Sequence, residues 1–238
     1  MSGVLSFLTK STDPEPGIIM LTDGACYDHD GVLVGIRRKV TVSKRMPLAV
    51  AFRGNQPFGM YTSQLIINAA EELGFDGMLA DLAAALPAFA RSPNYEILIA
   101  GISESLGPTQ RMFMNKPAVN DTRPAFELID PGHIHWGLGS DTGKHFTFDD
   151  IGIPFPRQEE TIEAWLSRHG RSIFEYHRRM RIPIDPTDPN TDRQHLIGGI
   201  LDMTVVTAGS VSVRMLHRWP DIIGEKIDPF HHDLREAA

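Results

Sequence analysis

Ile18-Ile19-Met20-Leu21-Thr22-Asp23-Gly24 is an apolar run that closes on an acid and a glycine, and Leu48-Ala49-Val50-Ala51-Phe52-Arg53-Gly54 repeats the form further along. Short continuous apolar runs bounded by turn formers read as strands buried on both faces. Between these two lie the turn Asp28-His29-Asp30-Gly31 and two shorter β-rich runs at 32–36 and 39–42. Upstream, residues 4–9 form another apolar segment, and the breaker cluster 11–17 makes it the first arm of a hairpin with 18–24. The first fifty residues therefore read as about five short strands joined by turns.

The period then changes. Met60, Leu65, Ile66, Ala69, Ala70 and Leu73 recur at helical spacing, Gly74-Phe75-Asp76-Gly77 interrupts them, and residues 78–90 resume as an Ala/Leu-rich helix distorted near Pro87. Two antiparallel helices joined by a glycine-containing turn are expected. Strands return at 95–102, 111–114, 126–129 and 133–137, and 140–157 is irregular. A second helical zone spans 158–181, with Ile162, Trp165, Leu166, Ile173 and Tyr176 as its apolar stripe. Residues 183–193 read as a Pro/Asp-rich loop, and 200–206 with 211–216 as a final hairpin around Ala208-Gly209-Ser210. Segregated blocks of strands and helices predict an α+β fold. Two β blocks that each need cover predict a four-layer α-β-β-α sandwich with two antiparallel sheets, formed by a domain at 1–219. The polar stretch 220–238 reads as a tail lying loosely on the surface.

The 238 residues carry 23 Lys and Arg against 30 Asp and Glu, a net charge of −7, which gives no electrostatic case for nucleic acid or an anionic membrane as partner. No apolar run approaches the roughly 18 residues of a membrane-spanning helix, and no secretory signal is read at the start, so a cytoplasmic protein is expected. A single cysteine, Cys26, excludes an internal disulfide or a cysteine zinc cage and reads as a small buried hydrophobe.

Residues 18–54 resemble the opening of proteasome-type N-terminal nucleophile hydrolases. The resemblance rests on the strand ending in Asp23, on Lys39 sixteen residues later, and on Gly54 closing the next strand before a long helical zone. Gly137-Leu138-Gly139-Ser140 matches the family's later Gly-Ser turn. The resemblance implies the family's sandwich fold, amide or peptide hydrolysis without a cofactor or metal, and self-association into a homo-oligomer. It also implies the site residues. Removal of Met1 leaves Ser2 as nucleophile with its own α-amine as base, Lys39 held by Asp23 tunes that amine, the Gly54 N–H receives the oxyanion, and Ser140 supplies a hydroxyl beside the amine.

The chain also departs from the pattern. With Gly198-Gly199 set on the family's late glycine pair, Gln194 and Ile197 stand where active members carry Asp and Ser, which points alternatively to a catalytically silent assembly subunit. His133 and His135 alternate along one strand and so share a face, but a third metal ligand is not evident. The basic run around Arg168, Arg171 and Arg178 reads as the solvated face of an amphipathic helix.

Overall fold

The computed structural model describes residues 3–9, 13–91, 93–118, 121–139, 147–185 and 187–230. Its strands in chain order are β1 (Val4–Leu8), β2 (Gly17–Asp23), β3 (Ala25–Tyr27), β4 (Leu33–Ile36), β5 (Val40–Val42), β6 (Leu48–Gly54), β7 (Tyr95–Ser103), β8 (Gly107–Met114), β9 (Ile134–Gly137), β10 (Ile182–Pro183), β11 (Arg193–Gln194), β12 (Ile200–Thr207) and β13 (Ser210–Arg218). The α-helices are α1 (Gln56–Ala85) and α2 (Ile162–Arg178).

Strand β2 shows why the apolar runs carry no polar alternation. Every residue of it is buried. Ile19 and Leu21 join one core cluster with Trp165, Ile173 and Phe174 of α2, while Ile18 and Met20 join another with Ala49, Ala51, Leu98 and Ala100. A strand covered on both faces gains by being apolar at every position. Strand β13 has a neighbour on one side only and a half-exposed surface, and it alternates Ser, Val, Ser, Val accordingly. A third cluster seats Ile66, Ile67, Ala70, Phe75 and Met78 of α1 against Leu48, Val50 and Phe52 of β6 and Ile97 and Ile99 of β7.

The expected four-layer α-β-β-α sandwich with two antiparallel sheets is corrected by the structure. Among the described residues there are four sheets, ordered β13-β12-β2-β1-β9, β5-β6-β7-β8, β3-β4 and β10-β11. Among the described residues strand makes up 35% against 25% helix, with two α-helical elements, so the structure is mostly β. The physical reasons are local. Residues 25–36 and 182–194 close ribbons of their own instead of extending the larger sheets. The two helices expected at 58–90 are present as the two arms of α1, which meet in a kink at Gly74, whose φ of 78° is a left-handed value favoured by glycine. Glu104 caps the new start there, its carboxylate accepting from the Phe75 and Asp76 amides. The helical zone at 158–181 yields one helix, started by Thr161, whose hydroxyl accepts from the Ala164 amide.

The hairpins β1–β2 and β12–β13 form as their turn chemistry predicts. Of the expected tail, residues 221–230 are described and are anchored to the rest of the fold, and residues 231–238 lie outside the described residues. Ile227 is buried with Ala25 and Leu33, the Leu33 amide donates to the Glu225 carbonyl, and Asp221 enters a buried ion pair with Arg178. Among the described residues no helix is long and apolar enough to cross a membrane.

Candidate functional site

Asp23 ends β2 in the five-stranded sheet, and Lys39 immediately precedes β5 at the edge of the four-stranded sheet. The structure brings them together. Lys39 Nζ lies 3.0 Å from Asp23 Oδ1, with both side chains at 3% exposure or less. Three backbone amides complete the shell of this carboxylate. Gly3 donates to Oδ1 at 2.7 Å, and Ala25 and Gly198 donate to Oδ2 at 3.1 and 3.2 Å. A carboxylate out of water is stable only with such partners, and Asp23 has four donors.

These contacts anchor the beginning of the described chain. A Cβ on Gly3 would meet Leu138 Cδ2 at 2.8 Å and Phe174 Cε1 at 2.9 Å, so these buried side chains would have to shift to admit one. Strand β1 then runs between β2 and β9, with Val4 opposite both Thr22 and Gly137. Ser2 and Ser140, the expected nucleophile and accessory hydroxyl, lie outside the described residues.

Gly54 is exposed at the end of β6. The amide of Phe52 donates to the Lys39 carbonyl and that of Asn55 to the Asn94 carbonyl, so alternate amides of β6 face β5 and β7. By the same alternation the Gly54 N–H faces the β5 side, about 7 Å along the strand from the Phe52–Lys39 bond. Its φ of 93° and the Asn94 carbonyl, which a Cβ would meet at 2.3 Å, require glycine on backbone grounds alone.

Two further features of the structure are not read from the sequence pattern. The first is the loop that carries the Gly198 amide. Arg178 Nη1 donates to the Ile197 carbonyl and to Asp221 Oδ2, each at 2.9 Å, and the same Asp221 oxygen accepts from the Gly199 amide at 2.6 Å. Arg178, expected on the solvated face of an amphipathic helix, is buried. Its partner is 43 residues away, beyond any local pattern. The second is a partly buried charge cluster around Glu96 of β7, which lies 3.3 Å from Arg53 Nη1 and 3.1 Å from His135 Nε2. Burial pushes the Glu96 carboxyl up, but Arg53, His135 and Arg123 outweigh it and hold it far below the usual range. An acid inside the apolar run 95–102 was the available signal.

His135 thus turns inward to Glu96, while His133, just before β9, is exposed. Gln194 donates through Nε2 to the Asp30 carbonyl, and Ile197 is buried among apolar side chains. Cys26 is buried close to the couple, and burial pushes its thiol up. A surface cavity of about 450 Å³ opens between the β10–β11 ribbon and residues 226–228, and its lining does not include Asp23, Lys39 or Gly54.

No known protein family and no curated protein matches this sequence. The structure offers a desolvated ammonium–carboxylate couple, the Gly3 amide bound to the same carboxylate, and an exposed amide at the end of β6.

Proposed function

We propose that this protein is an N-terminal nucleophile hydrolase that cleaves amide bonds in peptides or small amides, with Ser2 as nucleophile once Met1 is removed. One observation carries the reading. The amide of Gly3, which belongs to the peptide bond joining it to Ser2, donates to the same Asp23 oxygen that accepts from Lys39.

On this reading Ser2 Oγ attacks the substrate carbonyl carbon while its own α-amine takes the hydroxyl proton. The Lys39 ammonium disfavours a second positive charge nearby and so keeps that amine available as a base, and Asp23 fixes the ammonium. The Gly54 N–H donates to the tetrahedral oxyanion. Collapse expels the amine leaving group with the proton carried by the α-ammonium, and water then hydrolyses the acyl ester by the same base. Ser140 would add a hydroxyl beside the amine. The resemblance also supports assembly with further copies of this chain.

A second reading, a catalytically silent assembly subunit, is favoured by Ile197. It presents an aliphatic side chain beside Gly3, where a hydrogen-bonding residue would support an α-amine.

The test is intact-mass analysis of protein from its native host, combined with labelling by a serine-directed electrophile. Loss of Met1, and label on residue 2 that Ser2→Ala abolishes, is the expected result. Complete retention of Met1 would overturn the enzyme reading and leave the silent subunit.

A further inference from the structure

Ile200-Leu201-Asp202-Met203-Thr204-Val205-Val206 sets an acid and a threonine into an otherwise apolar strand. Within β12 the odd-numbered residues Leu201 and Met203 join the cluster under α2. Asp202, Thr204 and Val206 lie opposite Thr22, Met20 and Ile18, the face of β2 turned toward the four-stranded sheet. Asp202 is therefore buried between the two larger sheets, one ladder position from Asp23, which pairs with Leu201.

The two acids differ in one decisive respect. Asp23 accepts from four donors. Asp202, with a side chain only 2% exposed, has neither carboxylate oxygen in a hydrogen bond of good geometry, and the buried Thr204 hydroxyl also lacks a partner. Its ion-pair contact is Arg38 Nε, 3.2 Å from Oδ2, on a side chain that is 55% exposed. Consecutive cations thus cross between the sheets, Lys39 to a saturated acid and Arg38 to an unsaturated one. A buried acceptor left without a donor is costly, and a guanidinium met through Nε alone does not use its planar fork. Burial pushes the Asp202 carboxyl up, and Arg38 only partly offsets this.

We infer that Asp202 is the floor of a cation subsite, plugged in the free chain by Arg38, that takes the alkylguanidinium or alkylammonium group of a ligand in exchange for that side chain. Arg38 is suited to leave because more than half of it is already in water, where an ion pair is weak. An incoming guanidinium aligned along both oxygens would make the two parallel bonds that Arg38 does not, and Thr204 offers a further acceptor. The identity of the ligand rests on the proposed amide hydrolysis, under which the group is a Lys or Arg side chain of a peptide substrate. The subsite itself does not rest on it.

The test is calorimetric titration of n-butylguanidinium into the full chain, with uncharged n-butylurea as control. Arg38→Ala removes the internal competitor and should bind n-butylguanidinium about tenfold more tightly than the wild type, while Arg38→Ala/Asp202→Asn should lose that gain. Thermal melts establish that each variant folds. If Arg38→Ala does not fold, Arg38→Gln takes its place. Binding no tighter in the Arg38 variant, equal binding in the double variant, or equal binding of the urea overturns the inference. Because the measurement needs neither Ser2 nor turnover, a failure of residue-2 labelling leaves its result readable, and a failed titration leaves the hydrolase reading standing.

Discussion

Lys39→Met and Asp23→Asn, made singly and together, measure how far the fold depends on the couple at the site. The ammonium and carboxylate lie 3.0 Å apart with almost no solvent contact. Breaking a buried ion pair from one side costs about 3–5 kcal/mol, because the remaining charge is stranded. In Lys39→Met the stranded carboxylate keeps the Gly3, Ala25 and Gly198 amides, so the loss should sit at the lower end, about 3 kcal/mol. In Asp23→Asn a buried ammonium is stranded, and an amide nitrogen faces at least one N–H donor, so the loss should reach about 5 kcal/mol. The double variant strands no charge and should lose only about 4 kcal/mol, leaving a coupling of about 4 kcal/mol against simple addition. Urea unfolding followed by the fluorescence of Trp136, Trp165 and Trp219 reads all four corners of the cycle. Two single losses below about 1 kcal/mol, or additivity within about 0.5 kcal/mol, would refute the argument that these charges depend on each other out of water.

Asp202→Asn should stabilise the protein at neutral pH. The carboxyl is raised in the folded chain, so the wild type loses stability as pH climbs above the unfolded value of about 3.9, and the variant's advantage in urea unfolding should vanish toward pH 3. A variant less stable than the wild type at pH 7 would count against an unsatisfied acid. His177 runs the other way. Burial lowers it from 6.5 to about 4, against a weaker opposing bond to the Gly139 backbone, so its contribution is complete above pH 6.5 and is lost as pH falls toward 4. Over that window the wild type should lose about 3 kcal/mol more than His177→Gln, and parallel pH profiles would contradict this. Asp221→Ala strands the Arg178 guanidinium and should cost about 3–5 kcal/mol, whereas Arg178→Met/Asp221→Leu should cost less, as read by thermal unfolding. Gly54→Ala forces a Cβ onto the Asn94 carbonyl at positive φ and should cost about 2 kcal/mol, and an unchanged melting temperature would show that β6 ends differently.

Local chemistry alone determined a good deal about this chain. The apolar runs at 18–24 and 48–54 are short, bounded by turn formers and free of helical periodicity, and both form strands. The family resemblance, and not local chemistry, singled out Asp23 and Lys39, the pair that meets in the structure. Whether residues 25–36 joined a large sheet or closed a ribbon of their own was not encoded in any window, since strand pairing depends on which edges lie within reach after collapse. The rest of the site has the same origin. The Gly3 and Gly198 amides reach Asp23 from 20 and 175 residues away, and Asp221 reaches Arg178 across 43. Side-chain periodicity reports which face a residue turns to the core, but hydrogen-bond partners for a buried charge are chosen by whatever backbone the packing delivers there. Asp202 marks that boundary: its position inside an apolar strand is visible in the sequence, and its lack of donors is a property of the folded protein alone.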